Sequence, residues 1–333
     1  MIKNVQLPFF IPGFATYHNT AIVDLAFFNK PHAENQLHNQ RTELTCERDF
    51  LFGFSSPKIT VPDANLFAFP NMDRHCVSMI YAYPFYREII REMIDTGSYI
   101  YLSCIDDYYL PGKSWYMEKH RIHDGIICGY DDSDNTFTLA AYDSNWMFRE
   151  IRIPQESYKA SIDAALEAGN NVRITAVVIR DNVIELDLQG LLNKLKGYIE
   201  SNIQKYSLEE KGTVRGMAVY DCLDLYFDKL LDASISHEKM DWRIMRILWE
   251  YRDSMCKRIR AIEENLKLGN ERSENYEKIV KETDKLRMLY AFYHQKPKES
   301  TLRVVKSGMN RLKEVEKQEL ALLISKMEEA IKE

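Results

Sequence analysis

The feature that most limits how this chain can fold is a change of hydrophobic period near residue 180. Upstream, apolar residues come in short runs rich in β-branched and aromatic side chains, at 99–105, 125–130, 136–142, 148–153 and 172–180, separated by Asp, Asn and Gly. Downstream they recur every three or four residues against Lys and Glu, which is the period of a helix. Asp131-Asp132-Ser133-Asp134-Asn135, between two of the runs, reads as a hairpin loop, so the strands are expected to pair antiparallel. Helices are expected at 17–28, at 79–94 despite Pro84, and at 155–168, the last stopping at Gly169. Five more are expected at 188–206, 217–233, 237–268, 273–295 and 301–332. The predicted architecture is α+β: an antiparallel-sheet domain over 1–183 and an all-α domain over 184–333. Trp242, Ile247, Leu248 and Tyr251 make one helical stripe and are expected to be buried; exposed, they would mark a homodimer or partner surface. The charged tail 310–333 alternates signs as a solvated helix face does.

At 333 residues the chain can build two cores of ordinary size without staples. No apolar run approaches the roughly 18 residues of a membrane span. The apolar N-terminus is broken by Pro8 and Pro12 and lacks a small-residue cleavage site, so neither membrane insertion nor export is expected. The six cysteines, Cys46, Cys76, Cys104, Cys128, Cys222 and Cys256, show no CxxC spacing, which fits reduced thiols in the cytoplasm and predicts no metal. A net charge of -6 lends nothing to a nucleic-acid partner.

Chemistry is concentrated between residues 101 and 146. One strand ends in Asp106-Asp107-Tyr108-Tyr109-Leu110-Pro111, His123 opens the next, and Asp143 follows a third. Antiparallel pairing would set His123 beside Asp143, and a carboxylate that fixes the tautomer of an imidazole makes it an effective base. Spacing alone equally allows a strand-end histidine and a turn-forming aspartate.

The blocks YLSCIDDYYLPG, HRIHDGIICGYDD and AAYDSNW, in this order, resemble the N-terminal domain of the butirosin biosynthesis acyltransferase family, over residues 8 to about 165. The resemblance implies a papain-like fold, related to cysteine peptidases and turned to acyl transfer from a carrier-protein thioester to an amine. It also implies that His123 is the base and Asp143 its orienter in a Cys-His-Asp triad. The partners it implies are an acyl or peptidyl carrier protein, whose phosphopantetheine is the substrate arm, and a small amine acceptor, in non-ribosomal peptide-type assembly. No other cofactor is implied.

In that family the nucleophilic cysteine opens an early helix, where the helix N-terminus favours thiolate. The matching segment here, GFATYHNT, offers His18, Asn19 and Thr20 and no cysteine. Substitutes elsewhere are Cys76, in a basic neighbourhood, and Cys46, in a polar one; Cys104 and Cys128 lie in apolar strands and read as core. The leading expectation is thus an acyltransferase-like or amide-forming protein, in which His123 deprotonates the amine directly if no thiol serves. The alternative is a non-catalytic binding protein of the same fold, for a carrier protein or peptide-like metabolite. A cysteine peptidase ranks third.

Overall fold

The computed structural model describes residues 3–27, 30, 34–52, 56–67, 69, 72–180, 182–201, 203–206 and 212–332. In chain order its elements are β1 (Asn4–Gln6), α1 (His18–Phe27), α2 (Glu34–Asn39), β2 (Thr45–Glu47), β3 (Lys58–Thr60), β4 (Met72–Ser78), α3 (Met79–Ala82), α4 (Tyr86–Asp95), β5 (Tyr99–Asp106), β6 (Ile122–Asp131), β7 (Thr136–Tyr142), β8 (Phe148–Pro154), α5 (Gln155–Glu167), β9 (Arg173–Ile179), α6 (Leu188–Glu200), β10 (Thr213–Arg215), α7 (Ala218–Leu231), α8 (Ile244–Leu266), α9 (Glu271–Gln295) and α10 (Glu299–Lys332). They fall into two compact units, Met1–Pro31 with Phe69–Asn182, and His32–Ala68 with Val183–Glu333. The second boundary lies where the periodicity changes. The sequence-based division nevertheless needs correcting, because residues 32–68 go with the helical unit rather than with the first.

In the first unit seven antiparallel strands form one sheet in the order β4-β9-β5-β6-β7-β8, with β1 added along β6. The expected strands are all present. Strands β1 and β4 escaped notice: β1 is only three residues long, and β4, an edge strand paired to β9 alone, reads MDRHCVS with no apolar face to signal it. The helix expected over 79–94 is broken into α3 and α4 by a 3₁₀ turn at Tyr83–Phe85. Pro84 has no N–H to continue the ladder, and its ring crowds the carbonyl one turn back.

One face of the sheet carries Ile100, Leu102, Ile127 and Leu139, which pack with Tyr86, Ile90 and Ile94 of α4 and Tyr158, Ile162 and Ala165 of α5. Alternation along β5 turns Tyr101, between Ile100 and Leu102, to the opposite face. Helix α1 packs against β5, β6 and β9, and eight of its ten residues are buried, which is why its sequence is apolar nearly all round. Gly129 is required where β1 crosses β6, since a Cβ there would lie 2.7 Å from the Val5 carbonyl oxygen.

In the second unit the five expected helices appear as α6 to α10. The unit is not all-α: β10, β2 and β3 form a small antiparallel sheet, two of whose strands come from the segment 32–68. Ile247, Leu248 and Tyr251 are buried and Trp242 is half-buried, so the stripe is core and not an exposed dimer surface. The tail is less solvated than its charges suggested. Glu316 is fully buried, and its carboxylate accepts hydrogen bonds from Tyr198 (3.0 Å), Tyr220 (3.0 Å), Tyr276 (2.7 Å) and, twice, Arg252 (2.9 and 2.7 Å). One side chain of α10 thereby ties together α6, α7, α8 and α9. No helix among the described residues is long and apolar enough to cross a membrane.

Candidate functional site

A polar cluster of the first unit forms where the start of α1 meets the start of β6. The loop before α1 is held in place by Tyr142 of β7, whose hydroxyl donates to the Ala15 carbonyl at 2.9 Å, and by Asp24, which accepts from the Phe14 amide at 3.0 Å. This fixes His18 as the first residue of α1, 2% exposed, its ring edge-on to His123 at 5.3 Å and flanked by Tyr142 and Phe148. Of His18, Asn19 and Thr20 in the early helix, it is His18 that lies against His123.

The partner of His123 is Asp124 and not Asp143. His123 Nδ1 lies 3.0 Å from the Asp124 carbonyl oxygen and 3.1 Å from its Oδ1, and His18 Nδ1 lies 3.0 Å from the same Oδ1. Tyr101 donates to the other carboxylate oxygen at 3.0 Å. Neighbouring residues on a regular strand point to opposite faces, so a His123–Asp124 pair is not expected from sequence. Here the β5–β6 register slips between Leu102 and Ile105, setting Ser103 and Cys104 opposite Asp124 alone, with Cys104 at φ 60°. Such a bulge bends the strand and re-aims side chains.

Asp143 was reasonably placed by register. The β6–β7 pairing of Ile126 with Ala140, continued three residues further, would set it opposite His123. The pairing stops there, because Asp143 is taken up by the turn between β7 and β8. Its Oδ1 accepts from the amides of Asn145 (2.8 Å) and Met147 (2.9 Å), its Oδ2 pairs with Arg149 at 2.5 Å, and it is 1% exposed. It is a turn former.

Neither thiol candidate is part of the cluster. Cys76 is exposed on β4, three strand spacings or roughly 14 Å along the sheet from β6. Cys46 belongs to the second unit, buried with its sulfur 3.4 Å from that of Cys222, and this hydrogen bond and then burial push its thiol well above the ordinary value. Cys128 is core, as expected, its thiol pushed up to about 12 by burial. Among the described residues no cysteine joins the His18–His123–Asp124 cluster.

Charge and protonation follow from these contacts. Burial alone would raise the Asp124 carboxyl, but His18, His123 and the Tyr101 hydroxyl overturn that and hold it well below the carboxylate range. Asp124 is therefore an anion that only accepts. Both histidines must then carry a proton on Nδ1, which leaves Nε2 of each neutral ring as a free lone pair. Burial, and then the neighbouring His18, lower the pKa of His123 against the pull of Asp124. Burial, and then Asp124, push the Tyr101 phenol up, so it stays a donor. A buried ion pair, Lys113 with Asp107 at 3.5 Å, adds opposing influences on His123.

The site thus presents a half-buried imidazole with a free Nε2, oriented by a half-buried aspartate, and among the described residues no thiol. His18 Nε2, the Asn19 side-chain oxygen and Trp115 Nε1 are buried and find no hydrogen-bond partner among the described residues. The two histidines and Asp124 also offer one ligand atom each within 4.8 Å of one another, a spacing that suits a metal ion. Neither the family models nor the curated proteins compared with the chain gave a match.

Proposed function

We propose that the first unit is a papain-like domain that transfers an acyl group from a carrier-protein thioester to an amine, with His123 as general base and no acyl-enzyme intermediate. One observation carries the reading: the Asp124 main-chain carbonyl accepts the His123 Nδ1–H at 3.0 Å, with the Asp124 carboxylate oxygen 3.1 Å away, so that Nε2 is the basic atom, in a cluster that no cysteine joins among the described residues. The thioester donor and its phosphopantetheine arm rest on the resemblance of the blocks 101–112, 120–132 and 140–146 to the butirosin-type acyltransferases. So does a setting in cytoplasmic, non-ribosomal peptide-type assembly.

In the proposed step the amine nitrogen attacks the thioester carbonyl while His123 Nε2 removes an N–H proton. The tetrahedral intermediate collapses with cleavage of the C–S bond, and the imidazolium returns the proton to the departing thiolate. An amide and a free carrier thiol result. Asp124 stabilises the transient imidazolium and keeps the ring in its productive tautomer, the part foreseen for Asp143.

The test is amide formation by the full-length chain from an acyl-N-acetylcysteamine thioester and a primary amine. His123→Ala should lower the rate by about 100- to 10,000-fold, the usual worth of a general base. Cys76→Ser and Cys104→Ser should leave it unchanged. An acyl group trapped on a cysteine, or full activity in His123→Ala, would overturn the mechanism, and the second result would favour a non-catalytic binding protein.

A further inference from the structure

We infer that His18, His123 and Asp124 also form a site for a borderline divalent transition-metal ion, zinc(II) foremost, and that its binding switches the base off. The inhibitory half rests on the general-base reading above; the binding half does not.

The cluster brings one ligand atom from each of two histidines and an aspartate within 4.8 Å of one another. Two imidazole Nδ1 atoms converge on one oxygen, Asp124 Oδ1, at 3.0 and 3.1 Å. Convergence of two nitrogens and one carboxylate oxygen is what a cation requires. With metal–ligand bonds of about 2.0–2.1 Å at angles of about 90–109°, neighbouring donor atoms lie about 2.8–3.4 Å apart. The two observed nitrogen–oxygen separations fall in that range.

The donor set narrows the ion. Two imidazoles with one carboxylate suit zinc, cobalt or iron(II), whereas magnesium and calcium prefer all-oxygen sites. Tyr101, which donates to Asp124 Oδ2 at 3.0 Å, is the outer contact that would orient the carboxylate ligand. Three protein ligands would leave the remaining positions to water.

The inhibition follows from proton bookkeeping. A metal bound to Nδ1 takes the lone pair of the other tautomer, so the ring proton moves to Nε2 with no net release. His123 then presents Nε2–H, which cannot accept a proton from an amine.

The test uses the full-length chain, stripped with a chelator and titrated with cobalt(II), then with zinc(II) against a chromophoric chelator. The expected result is one cobalt per chain with visible ligand-field bands. Affinity for both ions should fall by at least about tenfold in His18→Ala and in Asp124→Ala, and circular dichroism and the milder His18→Gln would control for folding. Absence of stoichiometric cobalt, or binding unchanged in both folded His18 variants, would overturn the site. Zinc should also abolish amide formation by wild type. Binding that depends on His18 yet leaves an active enzyme active would overturn the inhibitory half together with the general-base reading. Activity that depends on His123 in a chain that binds no metal would leave that reading standing and the metal site refuted.

Discussion

Replacing Glu316 with Leu should destabilise the helical unit more than any surface change, and the size of the effect follows from its five donors. Loss of the carboxylate lets Tyr198 and Tyr220 fall back on each other, since their hydroxyls are already 3.2 Å apart, and Arg252 keeps Thr283 at 2.7 Å. Tyr276 and the remaining guanidinium N–H groups have no substitute. A stranded buried hydroxyl costs about 1–3 kcal/mol, and breaking a buried ion pair from one side about 3–5 kcal/mol. Allowing for the apolar area that Leu regains, we expect a net loss of about 4–6 kcal/mol. For a unit of this size that lowers the melting temperature by roughly 8–24 °C. Thermal and urea unfolding followed at 222 nm reports chiefly on this unit, because it holds the longest helices. The double variant Arg252→Met with Glu316→Leu should be more stable than Glu316→Leu alone, since no charge is left buried without its partner. A Glu316→Leu melting temperature within a degree or two of wild type would refute the reasoning, as would a double variant that simply adds two losses.

Burial, reinforced by Arg258, Arg41 and Lys257, holds the His38 imidazole down to about 4. The unfolded chain takes up that proton near 6.5, so the stability His38 contributes is complete above pH 6.5 and is lost as pH falls towards 4. Urea unfolding at pH 7 and 4.5 should show His38→Gln escaping about 2 kcal/mol of the wild-type loss, and equal losses would contradict this. Asp143→Ala should cost about 1–3 kcal/mol of stability, since two backbone amides lose their acceptor, with little change in kcat; Asp124→Asn should do the reverse, and melting curves beside steady-state rates would expose any exchange of these roles. Gly129→Ala should cost about 1–3 kcal/mol by forcing β1 from β6, readable as faster amide hydrogen exchange at Val5, and unaltered exchange there would count against the crossing.

The sequence by itself determined the elements whose pattern is local. The strand runs upstream of residue 180, the five long helices beyond it and the stop at Gly169 were all legible, because period and turn chemistry are written within a few residues of each element. Where the pattern was short or mixed, as in β1 and β4, there was no period to read. The site was half legible: His18 and His123 were named, but the orienting carboxylate was assigned to Asp143. That choice followed from continuing the β6–β7 pairing, and the turn between β7 and β8 takes up Asp143 instead. Only the tertiary structure could show Asp124 beside its neighbour His123, because the irregular stretch where β5 sets two residues against Asp124 is settled by how the strands pack and is not written in the local pattern. The same holds for Glu316. Along the helix it is one charge among many alternating ones, and only the meeting of five helices makes it the buried acceptor that all of them share.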